Sequence, residues 1–301
     1  MHSKLLSWLC LLGFFAVFTL QASAQQPAGW IKAAKVTGEV TATDKATNVT
    51  TAVANNQNLA QGVIVRTTKG ASVVLVFSNG ATVNLGTESE LDVEQFTQDP
   101  FSGTMDASTM TDEPTTSTTK LKLTRGELVG KVAHLKTTQG SSFNINTPVG
   151  AAGIRGTTFR IVYRPDGTGK AFFSLTTVEG NVELSTAAAN GTVTPPVAVT
   201  DNKEVVLADI TVTVNDQTGQ VTVTTSTGAT VVVPTVTDAP ATSTQQVLAT
   251  VQQIAQAVAN VVITPTPPSG GNGGGDTTPA QDNTTANPPK NNDTVTSGAG
   301  K

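Results

Sequence analysis

From Val36 to about Val233 apolar and polar positions alternate with period two, and Val, Thr and Ile dominate. Such alternation sends one face of each segment into a core, and β-branched side chains suit a pleated surface, so the pattern predicts strands. Val73, Leu75 and Phe77 share a face, and Val83 and Leu85 follow after Asn79-Gly80. That pair predicts a tight hairpin turn with positive φ at both positions. Pro165-Asp166-Gly167, Glu179-Gly180-Asn181, Asn215 to Gly219 and Thr227-Gly228 are further turn signals. Closely spaced turns with no helical period between them predict an all-β domain, solenoid-like or roll-like. A loose internal echo fits stacked units: Val36-Thr37-Gly38-Glu39-Val40, then Leu123-Thr124-Arg125-Gly126-Glu127-Leu128, then Val178-Glu179-Gly180-Asn181-Val182. Its spacing is irregular, unlike that of a strict repeat.

Three segments break the pattern. Residues 97–119 are polar and rich in Thr and Ser, with Asp99, Asp106, Asp112 and Glu113, and read as a long loop, disordered or functional. A basic stretch follows: Lys120, Lys122, Arg125, Lys131 and Lys136. Lys120 and Lys122 alternate with Leu121 and Leu123 and so belong on a solvent face, which the acidic loop or an anionic partner could cover. Pro195-Pro196 marks a boundary before a further β segment at 197–233. Over 243–262 the period becomes helical, with Val247, Val251, Ile254, Val258 and Val261 on one stripe, Leu248 broadening it, and Ser243 or Thr244 placed to cap. This uncharged helix is expected to pack on the β domain at an open end or edge rather than to self-associate. Residues 263–301, rich in Pro, Gly, Asn, Thr and Asp, read as a disordered tail.

The N-terminus changes the setting. Lys4, the apolar run Leu5 to Leu20 and the small-x-small run Ala22-Ser23-Ala24 read as a secretory signal over 1–24, cleaved after Ala24. Cys10 lies inside that run, so the mature chain has no cysteine and relies on its core rather than on disulfides. No later segment is apolar enough to span a membrane. The expected location is the periplasm or outside the cell. The formal net charge of −4 gives no reason to expect nucleic acid as a partner.

Catalytic and metal chemistry has little support. His134, the one mature histidine, sits in a predicted strand with Val132 and Lys136 and reads as a surface residue, since no second His or Cys is there to share a metal. No nucleophile elbow is present, and the acids in the polar loop match no calcium-loop spacing. The chain is expected not to be an enzyme and to need no cofactor. Asn48, Asn190, Asn283 and Asn292 head glycosylation acceptor triplets.

The most specific run is Phe143 to Phe159, with Thr147-Pro148-Val149-Gly150 and Ile154-Arg155-Gly156-Thr157. The Gly150, Gly153 and Gly156 spacing has the form of a phosphate cradle, but a β-type run follows where a helix would be needed. The glycines then serve a tight backbone path. Pro148 suits a strand end, and Arg155 is expected to be satisfied by carbonyls or a carboxylate. This run, with Gly38-Glu39-Val40, Leu59 to Gly62, Val65-Arg66-Thr67, Ser72 to Leu75, Phe77 to Gly80 and Arg125-Gly126-Glu127-Leu128, resembles the FecR domain. Signalling members of that family place a cytoplasmic anti-sigma segment and one transmembrane helix before a periplasmic β domain, which contacts the signalling domain of an outer-membrane transporter. The resemblance covers the β domain only; it implies an extracytoplasmic, solenoid-like all-β unit and a non-catalytic role in protein contact.

The expected layout is signal peptide 1–24, lead 25–35, FecR-like domain 36–190, then the further β segment, helix and tail. The expected function is a protein-interaction, sensor or scaffold module of the cell envelope. Its partner would be an envelope or surface protein met at Pro148, Gly150, Gly153, Arg155, Gly156 and Thr157. The alternative is binding of an anionic envelope polysaccharide by Lys120, Lys122, Arg125, Lys131 and Lys136.

Overall fold

The computed structural model describes residues 27–187, 193–214, 217, 221–228 and 234–265. The predicted signal peptide, the Asn190 triplet, Val231 with Val233, and the tail beyond residue 265, including the Asn283 and Asn292 triplets, lie outside them. The strands are β1 (Ile31–Thr37), β2 (Val40–Asp44), β3 (Thr50–Ala52), β4 (Gln57–Leu59), β5 (Val63–Thr67), β6 (Ser72–Phe77), β7 (Thr82–Leu85) and β8 (Glu90–Gln98). They continue with β9 (Met105–Asp106), β10 (Ser117–Lys131), β11 (Ser142–Asn146), β12 (Gly150–Ile154), β13 (Thr158–Pro165), β14 (Lys170–Glu179) and β15 (Val182–Thr186). Last come β16 (Val197–Val199), β17 (Lys203–Val214), β18 (Val221–Thr224), β19 (Thr237–Asp238), the helix α1 (Ala241–Val258) and β20 (Val262–Ile263).

Two open sheets face each other. The front sheet runs β3-β2-β5-β8-β10-β11-β12-β15-β16. The back sheet runs β4-β1-β6-β7-β10-β13-β14-β17, with β18 and β19 on opposite ends of β17. The chain passes repeatedly from one sheet to the other, which makes the fold a roll-like all-β sandwich. Among the described strands pairing is antiparallel except between β10 and β11, and a single parallel bridge joins Asp112 to His134. The segment after Pro196 adds β16 to the front sheet and β17 to the back one. Part of the predicted lead is β1, where Ile31 and Ala33 point inward.

The core lies between the sheets and follows the alternation. Leu91, Val93, Leu121, Leu123, Phe143 and Ile145 enter from the front; Val73, Leu75, Phe77, Leu128, Phe159 and Ile161 enter from the back. Phe77 meets Phe96 edge-on at 5.1 Å between ring centres and Phe143 at 6.3 Å. Each such buried side chain contributes about 1.5–3 kcal/mol by its removal from water.

The sequence echo marks corners between sheets. The chain goes from back to front at Gly38 and Gly180, and from front to back within β10 at Arg125-Gly126 and after β12 at Arg155-Gly156. All four glycines have positive φ. At Gly126 (φ 97°) a Cβ would lie 2.5 Å from Ser89 Cα. Bulk and handedness together therefore restrict that corner to glycine.

The Asn79-Gly80 hairpin differs from the predicted turn. Only Gly80 has positive φ, at 87°. Its N–H donates to Phe77 O, which places Ser78 and Asn79 at the centre of a wider turn. The tip is buried, and Asn79 keeps an ordinary φ with its side chain fully engaged. Its Oδ1 accepts from the Ala81 N–H, and its Nδ2 donates to Ser117 and Thr119.

The polar loop and the helix form a second apolar layer on the outer face of the back sheet. Val74, Val76 and Val129 point outward there, against Val247, Ile254 and Val258 of α1 and Ala107 of the loop, with Phe101, Met105 and Met110 packed alongside. The loop is ordered and does not cover Lys120 and Lys122. Its few apolar residues draw it to the back sheet, where β9 pairs with β20. Glu113, 2% exposed, pins its end: its carboxylate accepts from Ser117 Oγ (2.7 Å) and from the Lys136 N–H (2.6 Å). The helix covers a sheet face rather than an end or edge. It starts at Ala241 behind Pro240, without a side-chain cap, so neither Ser243 nor Thr244 caps it, and Leu248 lies outside the buried stripe at 44% exposed.

Candidate functional site

The signature run builds the front sheet and then leaves it. Phe143 and Ile145 point into the core, so Asn144 and Asn146 of β11 point out. Thr147 closes the turn to β12: its hydroxyl donates to Gly150 O and accepts from the Val149 and Gly150 N–H groups. Pro148 sits in that turn, half-buried. Gly150 admits the close passage of β15, since a Cβ would lie 2.1 Å from Ser185 O. Gly156 (φ 67°) turns the chain against His134, and Thr157 is buried, its carbonyl accepting from the Val132 N–H. Most of the signature thus shapes backbone. Arg155 is exposed and bound to the Glu183 carboxylate at 2.9 Å; of the carbonyl or carboxylate partners expected for it, the structure supplies the carboxylate.

The outward positions of the front sheet form an ordered array. One cross-strand row reads Gln95, Lys120, Asn144, Gly153, Glu183; the next reads Asp92, Lys122, Asn146, Ala151, Ser185. The small residues of β12 leave a groove of about 390 Å³ with Asn144, Gly153, Arg155 and Glu183 in its wall and Thr137, Thr138 and Ser142 at one end. The Asn144 amide leans over Gly153: a Cβ there would stand 3.6 Å from Asn144 Oδ1.

Charges on this face are mostly committed. Lys45 holds Asp92 at 2.8 Å, Arg66 holds Glu90 at 2.8 Å, and Arg155 holds Glu183. Burial works to raise the Glu90 carboxyl, but hydrogen bonds from Arg66 and Thr124 and the Arg66 charge hold it below the usual carboxylate range. Lys120 and Lys122 are exposed and, among the described residues, in no ion pair, and the Asn144 and Asn146 side chains engage in no hydrogen bond. Asn144 and Asn146 were not predicted as site residues, although their alternation with Phe143 and Ile145 is the signal that exposes them.

The predicted basic stretch does not share one face. Because β10 changes sheets at Gly126, Lys120 and Lys122 lie on the front, whereas Lys131 follows Val129 on the outer side of the back sheet beside α1. Arg125 stands at the corner, next to a groove it shares with Arg164, and Lys136 donates to Pro114 O at 2.6 Å. His134 is exposed and lies beyond the end of β10, 3.7 Å from Asp112. Among the described residues no group of three His, Cys, Asp or Glu side chains converges. Asp106 accepts from Ser108, Asp99 from Thr116, and Glu113 is committed as above, so the loop acids are separately engaged. Asn48, at an exposed turn, has φ 57°.

Residues 63–183 match the family model FecR, described as "FecR protein". That stretch holds the signature run and all of the front-sheet array except Ser185, and it overlaps the residues that carry the resemblance. No curated protein matches the chain. Two crystal structures of a protein from Parabacteroides distasonis, provisionally described as an anti-sigma factor, are similar at 14% identity, with TM-scores of 0.34 and 0.33. Each alignment covers 56% of this chain and spans 60% of the other. No helix among the described residues is long and apolar enough to cross a membrane.

Proposed function

We propose that the domain is a non-catalytic protein-contact module of the cell envelope, a sensor or scaffold, and that its contact surface is the front-sheet array of β10, β11 and β12. The observation that carries this reading is the uncommitted quartet Lys120, Lys122, Asn144 and Asn146, set beside an open groove within the FecR-matching stretch. Structural side chains at a surface are generally paired or merely solvated singly. Four in register with free donors and acceptors form a surface able to discriminate. The N-terminal signal pattern supports export, and the family resemblance supports a regulatory role.

The test is photo-crosslinking from the full chain in host envelope, with the photoreactive residue at Asn144 in one protein and at Gln253, on the exposed side of α1, in the other. A single identified protein joined from position 144 and not from 253, and recovered again when that protein is the bait, is the expected result. Identical products from both positions, or none from either, would overturn the assignment.

A further inference from the structure

We infer that the front-sheet array binds an extended acidic peptide segment of the partner, one with carboxylates at alternate positions. The inference rests on the protein-contact reading above and adds the chemistry of what is contacted.

The argument is one of spacing. Lys120 and Lys122 are successive outward residues of one strand, so their Cα atoms stand about 7 Å apart. Asn144 and Asn146 repeat at the same interval on β11, which runs parallel to β10, and the register sets Lys120 beside Asn144 and Lys122 beside Asn146. Neighbouring strands lie about 4.8 Å apart. The surface is therefore two parallel ladders of equal period, one cationic and one of primary amides. An extended peptide has that period twice over. Its side chains on one face recur every second residue, and so do the N–H and C=O groups along one of its edges. Laid along the strands, such a chain brings alternate carboxylates to the two ammonium groups. The same placement brings backbone groups to amides that both donate and accept.

Charge and shape agree. Two acids of these rows are held elsewhere: Asp92, directly across from Lys122, is bound by Lys45, and Glu183 by Arg155. Glu94, at the bulge opposite Lys120 and Leu121, is the remaining acid of that stretch. Gly153 and Ala151 lower the surface next to the amide ladder, leaving room for a backbone to settle against Asn144 and Asn146. A polysaccharide of uronic acids shares the carboxylates but would use ring faces for stacking. The two rows present Gln, Lys, Asn, Gly, Glu, Asp, Ala and Ser and no aromatic ring.

The experiment measures binding of the full chain to three probes at low and high salt. These are a short peptide of alternating glutamate and threonine, a peptide of the same composition with the glutamates in one block, and an oligogalacturonate. The alternating peptide should bind tighter than the block peptide. Its affinity should fall about fivefold to tenfold in the Lys120→Gln/Lys122→Gln protein, whose replaced side chains are exposed. It should fall also in Asn144→Ala/Asn146→Ala, which leaves the charge unchanged, and binding should weaken with salt. Equal binding of the two peptides, or affinity unchanged in the lysine variant, would overturn the inference. So would oligogalacturonate binding with no peptide binding. If position 144 crosslinks the same single protein with undiminished yield in the lysine variant, the peptide chemistry fails while the protein-contact reading stands. If it crosslinks none in the parent chain, that reading fails itself.

Discussion

Glycine and arginine alternate in importance at the corners between the sheets. In Arg125-Gly126 and Arg155-Gly156 the glycine carries the fold and the arginine stands in solvent. Gly126→Ala forces a side chain into Ser89 at a φ that L residues rarely adopt, and is expected to cost about 3 kcal/mol or more by strain and overpacking. Arg155→Ala removes an ion pair whose partners are 53% and 37% exposed, and is expected to change stability by less than about 1 kcal/mol. Urea unfolding of the two variants reads both values. A large loss in Arg155→Ala would mean that the guanidinium holds the corner together. The sequence leaves the Arg155 partner open between carbonyls and a carboxylate, and Glu183 comes from β15, a distant part of the chain.

At the scale of elements, the helix and the polar loop act together as the outer cover of the back sheet. Their contact explains why β6 is apolar on both faces: Val73, Leu75 and Phe77 fill the main core while Val74 and Val76 meet the cover. Ile254→Asp places a charge in this layer with no partner and is expected to cost about 3 kcal/mol or more, with new binding of a hydrophobic dye. Leu248→Asp, on the exposed side, should change stability by less than about 0.5 kcal/mol and leave dye binding unchanged. Glu113→Ala leaves the Lys136 N–H and the Ser117 hydroxyl without their acceptor. It is expected to speed amide exchange at Lys136 and to cost about 1–3 kcal/mol. Unchanged exchange there would show that the loop is pinned by its apolar residues alone. Along the sequence the loop reads as polar because its apolar residues are few and irregular. Phe101, Met105, Ala107 and Met110 have no periodicity, and their common destination exists only once α1 has docked.

For the whole molecule, acid is the expected weakness. Hydrogen bonds from Arg66 and Thr124 hold Glu90 low, those from Thr168 hold Asp166 low, those from the Thr47 and Ala46 N–H groups hold Asp44 low, and those from Ser108 hold Asp106 low. A carboxyl with its folded pKa below its unfolded one lends stability above the unfolded value and loses it as pH falls through the folded one. Stability should therefore be level near neutral pH and decline below the ordinary carboxylate range. Arg66→Gln should flatten the part of that decline due to Glu90. A stability curve that rises toward low pH, followed by denaturant midpoints, would contradict this account. One end of the sandwich is closed by β3 and β4, three residues each, and such short edges resist strand addition.

The strands, the all-β class and the inward sets were present in the chain itself, because a period of two fixes which side chains share a face wherever the strand lies. The echo through Gly38, Gly126 and Gly180 was there too, as a recurring form; that its glycines turn the chain between sheets was decided by the tertiary structure. Sheet membership was decided only by the tertiary structure. Nothing local says that β10 leaves one sheet for the other at Gly126, and that single change separates Lys120 and Lys122 from Lys131. The pairing of β10 with β11 was decided there too, and with it the placing of Lys120 beside Asn144, because a parallel ladder joins segments whose register no turn between them dictates.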